Sequence, residues 1–442
     1  MKKFILILIP FLLGYSACKK EVAPANTPAD TTTVVKPTVA ELARDYLYTA
    51  MNQYYFWYKL MPTVVKTDYK DPYTLLDAME YKTLDRWSFI QTYDEYLAMS
   101  SGSFVGHGIS MGLDPSQQVR IAEIYKNSPL YLKGVRRGWI VTKLNGTDLA
   151  PIFIAKDGTK YSNLIGASTA GITNTFLFQT PEGKDSTIAS TKAAFTLNTV
   201  IVQDTLHLKS GVTGHLVFDQ FITPSNSELQ TAFTYFSQNN IRDLIVDLRY
   251  NGGGDLSVLT NMASYVAGAA KAGSTFVTLT FNDKNTANNV SYSFNTVSSP
   301  LKISRLIVIT TRGTASASED FINGLKPVMS EVKTIGDTTN GKPVGMIGIP
   351  YKTSYMFWPI SFSLVNSSGV GDFYKGIAPE KYVADDITHD WNDRNESCLK
   401  EAIYYLEHGT VSAKRLSAGT KTSTLIFSEK SSKSNNAYIL KK

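Results

Sequence analysis

The sequence contains few cysteines, little excess charge and no long hydrophobic run. Only Cys18 and Cys398 occur among 442 residues, which excludes a disulfide framework and a cysteine-rich zinc site. Lys and Arg number 44 against 38 Asp and Glu, and residues 411–442 alone hold seven basic residues and one Glu. The rest of the chain is therefore close to neutral. A protein that binds nucleic acid gathers Lys and Arg on one face of its binding groove, so this charge balance argues against a nucleic-acid partner. Hydrophobic residues make up 43% of the chain, enough for a sizeable folded core.

The N-terminus carries the pattern of an export signal. Two lysines precede an apolar run at 4–13, which is about half the ~20 residues that a membrane helix needs. Small residues directly before Cys18 resemble the lipobox of bacterial lipoproteins, whose cysteine is acylated; the alternative is an ordinary cleaved signal with a free cysteine. We expect a lipoprotein signal peptide at 1–17, lipidation of Cys18, and a Pro- and Thr-rich tether at 18–37. The expected location is the cell envelope, anchored to a bacterial membrane on its periplasmic or outer-surface side.

The remaining chain divides by its pattern into four parts. Residues 38–100 show helical spacing and an Asp-Pro helix start, which predicts a small helical N-terminal domain. Residues 103–195 change to short β-like runs separated by glycine turns. Residues 196–408 alternate near-continuous apolar strands with helical segments, which predicts an α/β core with a mostly parallel sheet. Residues 409–442 form a basic tail that we expect to be solvated. The predicted fold class is a multidomain α+β protein.

The β-rich part resembles a PDZ domain of the bacterial protease type. The resemblance rests on one stretch, which contains Ser128-Pro129, Gly134, Gly138, Trp139-Ile140-Val141 and Asn145-Gly146. A PDZ domain adds a peptide to a sheet edge as a strand and captures its terminal carboxylate on backbone N–H groups of a loop. The corresponding loop here is Gly106-His107-Gly108-Ile109, so these four are the predicted peptide-binding residues. The side chain of His107 is interpreted as an ordinary loop side chain.

Two loops that follow apolar strands are candidates for chemistry. The first runs from Asp247 to Gly254 and ends in three glycines, whose backbone N–H groups could approach an oxyanion. It lacks the Gly-Lys-Ser/Thr ending of a phosphate-binding loop, and such glycines often form only a turn. The second loop places Ser316 among small residues just before a helix, where the helix N-terminus favours an oxyanion. A structural alternative is that Ser316 and Glu319 simply form a capping box.

A lysine 26 residues after Ser316 favours the catalytic interpretation. Lys342 lies in Asn340-Gly341-Lys342-Pro343, and an apolar stretch follows it. A lysine can act as the base for a serine nucleophile if burial lowers its pKa toward neutrality. Most lysines are solvated, but these flanking residues are compatible with burial.

The three motifs DLRYNGGG, GTASASED and TTNGKP, in this order behind the PDZ-like segment, resemble those of the tail-specific or C-terminal-processing serine peptidases. The resemblance covers about residues 85–406. It implies Ser316 as nucleophile and Lys342 as general base, with the backbone N–H of Ala317 and of one of the glycines at 252–254 as the oxyanion hole. Among these, Gly253 is the preferred donor, with Gly252 as the next choice. The resemblance further implies protein or peptide substrates that are selected by their C-terminal segment, and no cofactor.

Two departures from the family pattern leave an alternative open. The spacing from Ser316 to Lys342 is one residue longer than in common members, and Met346 stands where many members carry a polar group that orients the lysine. A Ser-Lys dyad is therefore the predicted machinery. The alternative is a non-catalytic lipoprotein that binds peptides with a degenerate core.

Two other groups of residues lack the pattern of a catalytic or metal-binding site. None of the five histidines lies in a catalytic motif, so each is expected to be a surface or packing residue. The acidic group around Asp385, Asp386 and His389 lacks the spacing of metal ligands, so no metal is predicted.

Overall fold

The computed structural model describes residues 36–413, 423–428 and 439–440. The predicted signal peptide, the tether up to residue 35 and Cys18 lie outside the described residues. Within the described parts, none of the helices has both the length and the apolar character needed to cross a membrane.

The N-terminal region is helical, as predicted, but it shares its core with the later α/β part. Its elements are α1 (Val39–Tyr54), α2 (Pro72–Met79), β1 (Phe89–Thr92) and α3 (Tyr93–Ser101). Asp71 caps α2 by accepting a hydrogen bond from the backbone of Thr74, with proline in the first turn. Leu47 and Leu75 are fully buried and belong to the same hydrophobic cluster as the apolar side chains of the central sheet.

The middle region has a core of its own, built on Phe153, Phe176 and Phe178. Its elements are β2 (Ser103–Gly106), β3 (Ile109–Leu113), β4 (Val119–Ile124), α4 (Pro129–Leu132), β5 (Ile140–Leu144), β6 (Thr147–Asp148), α5 (Ala150–Ile154), α6 (Gly158–Ile165), β7 (Thr173–Gln179), β8 (Asp185–Thr191) and β9 (Ala193–Thr196). The first and last strands, β2 and β9, pair antiparallel with each other, so the chain leaves this region beside the point where it entered.

The region from residue 200 carries the predicted α/β core. Its elements are β10 (Val200–Leu208), β11 (Gly211–Phe218), α7 (Ser225–Gln238), β12 (Asp243–Asp247), α8 (Leu256–Ala267), β13 (Thr275–Phe281), β14 (Val290–Ser293), β15 (Arg305–Thr310), α9 (Ala317–Leu325), β16 (Glu331–Gly336), β17 (Val344–Ile347), β18 (Ile349–Tyr351), β19 (Tyr355–Trp358), β20 (Ile360–Asn366), β21 (Lys381–Tyr382) and α10 (Ser397–His408). The central sheet has the order β10-β11-β12-β15-β16-β21, and every neighbouring pair from β11 onward is parallel. The predicted fold class, with its mostly parallel sheet, is therefore confirmed.

The sequence did not predict the antiparallel sheets beside this core. Strands β13, β14, β17 and β20 form one of them, and β18, β19 and β1 form another. Short strands separated by Gly, Pro and Thr lack the long apolar runs that made β12 and β15 recognisable, so their pairing depends on distant partners.

Two further strands lie in the segment predicted to be a solvated tail. They are β22 (Thr424–Ser428), which pairs antiparallel with β3, and β23 (Ile439–Leu440), which pairs in parallel with β17. The prediction of solvation is wrong for 424–428, because Ile426 and Phe427 lie among the basic residues of the tail and pack against the core of the middle region.

Candidate active site

Ser316 lies on a sharp turn between a strand and a helix. Strand β15 ends at Thr310, α9 begins at Ala317, and Ser316 itself has φ of 62° and ψ of −123°. Positive φ is strained for a residue with a side chain, and such strain occurs at nucleophile turns of this strand-turn-helix type. The turn places the hydroxyl at the positive end of the helix, where negative charge is stabilised.

The two predicted loops meet at the carboxyl ends of adjacent parallel strands. The backbone carbonyl of Asn251 accepts hydrogen bonds from the N–H of Ala315 at 3.1 Å and from the hydroxyl of Ser318 at 2.9 Å. The hydroxyl of Thr314 donates to the carbonyl of Leu248 at 2.8 Å. The glycine loop after β12 and the serine loop after β15 are therefore held together on both sides of Ser316.

Gly253 touches the serine turn directly. A Cβ atom at this position would lie 2.8 Å from the Cβ of Ser316 and 2.9 Å from the backbone N of Ala317, so only glycine fits. The N–H of Gly253 donates to Oδ1 of Asn251 at 2.9 Å, so a substrate carbonyl would have to replace that bond. Ala317 stands at the first helical position, where the helix supplies no acceptor for its N–H. The oxyanion hole, with Ala317 and either Gly253 or Gly252, stays a prediction.

Glu319 joins the serine turn to the lysine loop. Its Oε2 atom accepts hydrogen bonds from the backbone N–H of Ser316 and of Lys342, both at 2.8 Å. Its Oε1 atom accepts from the N–H of Gly341 at 2.6 Å and from the hydroxyl of Thr339 at 2.5 Å. One of the two hydrogen bonds of a capping box is thus present, because the Glu319 side chain accepts from the backbone N–H of Ser316. The sequence showed Glu319 only as a capping residue and missed its contact with the lysine loop.

Lys342 is fully buried, which is the condition that the predicted role as general base needs. Burial lowers the pKa of its amine from 10.5 to about 7, against a smaller opposing effect of the Asp85 and Glu319 carboxylates. The Nζ atom lies 3.7 Å from the Sδ atom of Met346, so Met346 does occupy the position next to the amine that the family pattern gives to a polar group.

The hydroxyl of Ser316 is buried and has no hydrogen-bond partner among the residues that the structure describes. The bond from Ser316 to Lys342 is therefore not formed here, and no histidine replaces it. Catalytic hydrogen bonds are often long before substrate binds. Each histidine has other surroundings. His107 bonds to Ser190 and Asn174, and His215 bonds to Asn392. His389 bonds to Asp386, His408 bonds to the carbonyl of Tyr404, and His207 is exposed.

The N-terminal region also contributes to the lysine loop, which the sequence did not predict. The guanidinium of Arg86 donates to the carbonyl of Asn340 at 2.9 Å, and the indole N–H of Trp87 donates to its side-chain oxygen at 3.1 Å. Asp85 is buried beside them and accepts bonds from the hydroxyls of Tyr55 and Ser88. The only sequence signal was that the family resemblance begins near residue 85.

The predicted peptide-binding loop, Gly106 to Ile109, is buried at the start of β3. The ring of His107 bonds to Ser190 at 3.0 Å and to Asn174 at 2.7 Å, and it packs edge-on against Phe176. Its side chain is therefore a packing group, and the carbonyls of His107 and Gly108 accept hydrogen bonds from the backbone of Leu130 and Tyr125.

The acidic residues around His389 serve structure. Asp385 bonds to Arg249 and Tyr250, while Asp386 accepts bonds from Thr388 and contacts His389. Among the described residues, no cluster of His, Cys, Asp and Glu has an arrangement suited to a metal ion.

Comparison with known proteins agrees with this geometry. Residues 212–381 match the peptidase family S41 domain, and residues 43–89 match the peptidase S41 N-terminal domain. The chain is 26% identical over 314 residues to the "Probable CtpA-like serine protease" of Staphylococcus aureus strain COL, covering 70% of this chain and 57% of the relative. The corresponding Staphylococcus epidermidis protein of strain RP62A is 25% identical over 311 residues, with 68% and 56% covered. The chain thus spans little more than half the length of these curated relatives.

A solved structure shares the fold. The crystal structure of an S41-type protein from Bacteroides fragilis NCTC 9343 superimposes with a TM-score of 0.70 at 22% identity, covering 83% of this chain and 97% of that one. The family match spans the sheet that carries the serine, lysine and glycine loops, and the N-terminal match ends at the residues that hold the lysine loop. The chain therefore carries both domains of the S41 peptidase family.

Proposed function

We propose that the protein is a serine endopeptidase that hydrolyses protein or peptide chains by acyl transfer. The observation that carries the proposal is the shared hydrogen-bond acceptor: one oxygen of Glu319 holds the backbone of both Ser316 and Lys342. A carboxylate that orders the nucleophile turn and the base loop together preorganises the pair before substrate binds.

The reaction proceeds in two halves. Ser316 Oγ attacks the scissile carbonyl carbon, and the neutral amine of Lys342 takes the hydroxyl proton. The tetrahedral oxyanion forms at the N-terminus of α9, next to Ala317 and the glycine loop. The C–N bond then breaks as the Lys342 ammonium gives its proton to the leaving amine. Water next attacks the acyl-enzyme while Lys342 accepts a proton from that water. The C–O bond to Ser316 then breaks as the Lys342 ammonium returns the proton to Ser316 Oγ, and the new carboxylic acid leaves.

Substrate selection and anchoring belong to the same proposal. The middle region, 103–195, binds the C-terminal segment of the substrate as an added strand, and Cys18 carries the lipid that holds the protein at a bacterial membrane. Two measurements test these parts. Amidation of a peptide's C-terminus should weaken its binding, and Cys18→Ser should move the protein from the membrane fraction to the soluble fraction.

The experiment that tests the activity is hydrolysis of an unfolded protein such as casein. Purified protein should cleave casein, and Ser316→Ala should abolish cleavage while its circular dichroism spectrum and melting temperature stay close to wild type. Ser330→Ala is a control, because Ser330 is exposed and its hydroxyl donates to the carbonyl of Ser304, outside the serine, glycine and lysine loops. Equal cleavage by wild type and Ser316→Ala would contradict the proposal.

A second candidate function is peptide binding without cleavage. Two observations favour it: Met346 stands beside Lys342, and the hydroxyl of Ser316 forms no hydrogen bond in the described structure. A casein assay without turnover, combined with peptide binding by the same preparation, would support this second function.

A further inference from the structure

The free edge of the middle region's sheet is covered by a segment of the same chain. Strand β22 pairs antiparallel with β3, with Thr424 opposite Leu113 and Ser428 opposite Ser110. Strand β3 begins at Ile109, directly after the loop predicted to bind peptide. The segment 424–428 therefore occupies the sheet edge to which a peptide would be added as a strand.

An aromatic side chain anchors this segment. The ring of Phe427 stacks on Tyr161 with centroids 4.6 Å apart and meets Phe153 edge-on at 4.7 Å. Tyr161 lies in α6 and Phe153 in α5, so the two helices form an aromatic pocket beside β3. Gly158 completes the wall, since a Cβ there would be 3.6 Å from the ring of Phe427. Such aromatic contacts add to the energy gained by burial.

A glycine in β3 lets the backbone of β22 approach closely. A Cβ atom at Gly112 would lie only 2.5 Å from the carbonyl oxygen of Thr424. An alanine at this position would therefore clash with any strand that pairs along the same line. At the other end of the contact, the hydroxyls of Ser110 and Ser428 are 2.7 Å apart.

A second piece of the same chain lies at the candidate active site. Ile439 and Leu440 pair in parallel with Met346 and Ile347, and Met346 contacts the amine of Lys342. Strand β22 thus covers the edge of β3, and strand β23 pairs with β17, which follows Lys342 along the chain. A substrate would need both of these surfaces.

We propose that the edge of β3, together with the Phe153–Tyr161 pocket, is a docking site for an extended peptide carrying an aromatic side chain, and that the chain's own segment 424–428 is its resident occupant. A substrate has to displace this segment before its own strand can pair. This inference rests on the proposed function for its physiological meaning, but the docking itself does not require catalysis. An occupant on the same chain competes at an effective concentration of roughly millimolar, so it weakens binding of outside peptides strongly.

The test measures binding of a fluorescent peptide with the sequence Ser-Thr-Leu-Ile-Phe-Ser by anisotropy, using full-length Ser316→Ala so that cleavage does not interfere. Phe427→Ala in this background removes the anchor of the resident segment, so peptide affinity should rise by roughly tenfold or more. Thr424→Ala is the matched control, because the Thr424 side chain is exposed and its backbone pairing is kept; its affinity should equal that of the parent. Unchanged affinity in Phe427→Ala would overturn the proposal.

Two further variants locate the site. Adding Gly112→Ala to Phe427→Ala should abolish the gained binding, because the clash blocks strand pairing at β3. Replacing Ser110 and Ser428 by cysteine, with Cys18→Ser to remove a competing thiol, should allow a disulfide between paired residues, whose Cα atoms are typically about 5 Å apart. The oxidised form should bind no peptide and reduction should restore binding. Equal binding in both forms would place the peptide elsewhere.

The casein assay separates this inference from the proposed activity. In the catalytically intact chain, Phe427→Ala should raise the rate of hydrolysis at low substrate concentration. If wild type and Phe427→Ala cleave casein at the same rate and bind the peptide equally, segment 424–428 does not compete for the docking site. The proposed peptidase activity would still be supported by the cleavage itself. If Phe427→Ala binds the peptide more tightly but casein is never cleaved, the docking site stands without the peptidase.

Discussion

The amine of Lys342 lies 3.7 Å from the thioether sulfur of Met346. Sulfur is a weak acceptor, so this contact does little to stabilise an ammonium ion. Burial therefore dominates and keeps the pKa of Lys342 at about 7. A methionine beside the lysine is compatible with a neutral amine at this position.

Met346→Gln should move the pH dependence of catalysis upward. The amide oxygen of glutamine can accept a hydrogen bond from the ammonium, which stabilises the charged form and raises the pKa of Lys342. The midpoint of kcat/KM against pH should then rise above that of wild type. Met346→Leu is the control, because it keeps an apolar group of similar volume and should leave the midpoint unchanged. A midpoint that is the same in all three proteins would contradict this account.

Wild-type activity should rise with pH through about 7 and level off above it, because only the neutral amine of Lys342 can accept the proton of Ser316. Lys342→Arg retains a cation that cannot release its proton, so it should be as inactive as Lys342→Ala, with kcat at least about a hundredfold below wild type. Substantial turnover by Lys342→Arg would show that another group is the base. Peptide binding by the same variant checks that it is folded.

Lys342→Met should stabilise the protein at neutral pH. The pKa of the lysine is about 7 in the folded chain and 10.5 when exposed, so between these values only the unfolded chain binds the proton. The unfolding free energy of wild type, relative to Lys342→Met, should therefore rise as pH increases from about 7 to 10.5. Below pH 7 the advantage of the methionine variant should be largest and constant. Urea unfolding of both proteins at pH 6, 8 and 10 measures this, and a difference that does not depend on pH would refute it.

Glu319→Gln should lower kcat by at least about tenfold, because an amide cannot accept hydrogen bonds at both of its heavy atoms and the serine turn and lysine loop lose a shared acceptor. The carboxylate also raises the pKa of Lys342, so its removal should shift the activity midpoint to lower pH. A variant that only damaged the fold would lose activity without that shift. Glu95→Gln is the control, since Glu95 caps α3 at an exposed site and its loss should leave the midpoint in place.

The sequence predicted the candidate catalytic residues more readily than the residues that hold their loops. Ser316, Lys342 and the glycine loop lie in contiguous motifs next to recognisable buried strands, so local pattern was sufficient to find them. Glu319 collects hydrogen bonds from residues that follow it by as many as 23 positions, and that relationship appears only after the chain has folded. The contact of Trp87 with Asn340 spans 253 positions and was not predictable from spacing.

The pairing of β2 with β9 has a consequence for how such proteins diversify. Gly102 and Leu197, which flank the paired strands, are joined by a backbone hydrogen bond of 2.9 Å, so the whole middle region is an insert whose two ends lie side by side. Inserts with adjacent ends are tolerated because they leave the connectivity of the host intact. Segment 103–196 can therefore be replaced, together with the strand β22 that pairs with it, without any change in Ser316, Lys342 or the glycine loop. The target preference of such a protein can then change independently of its candidate active site.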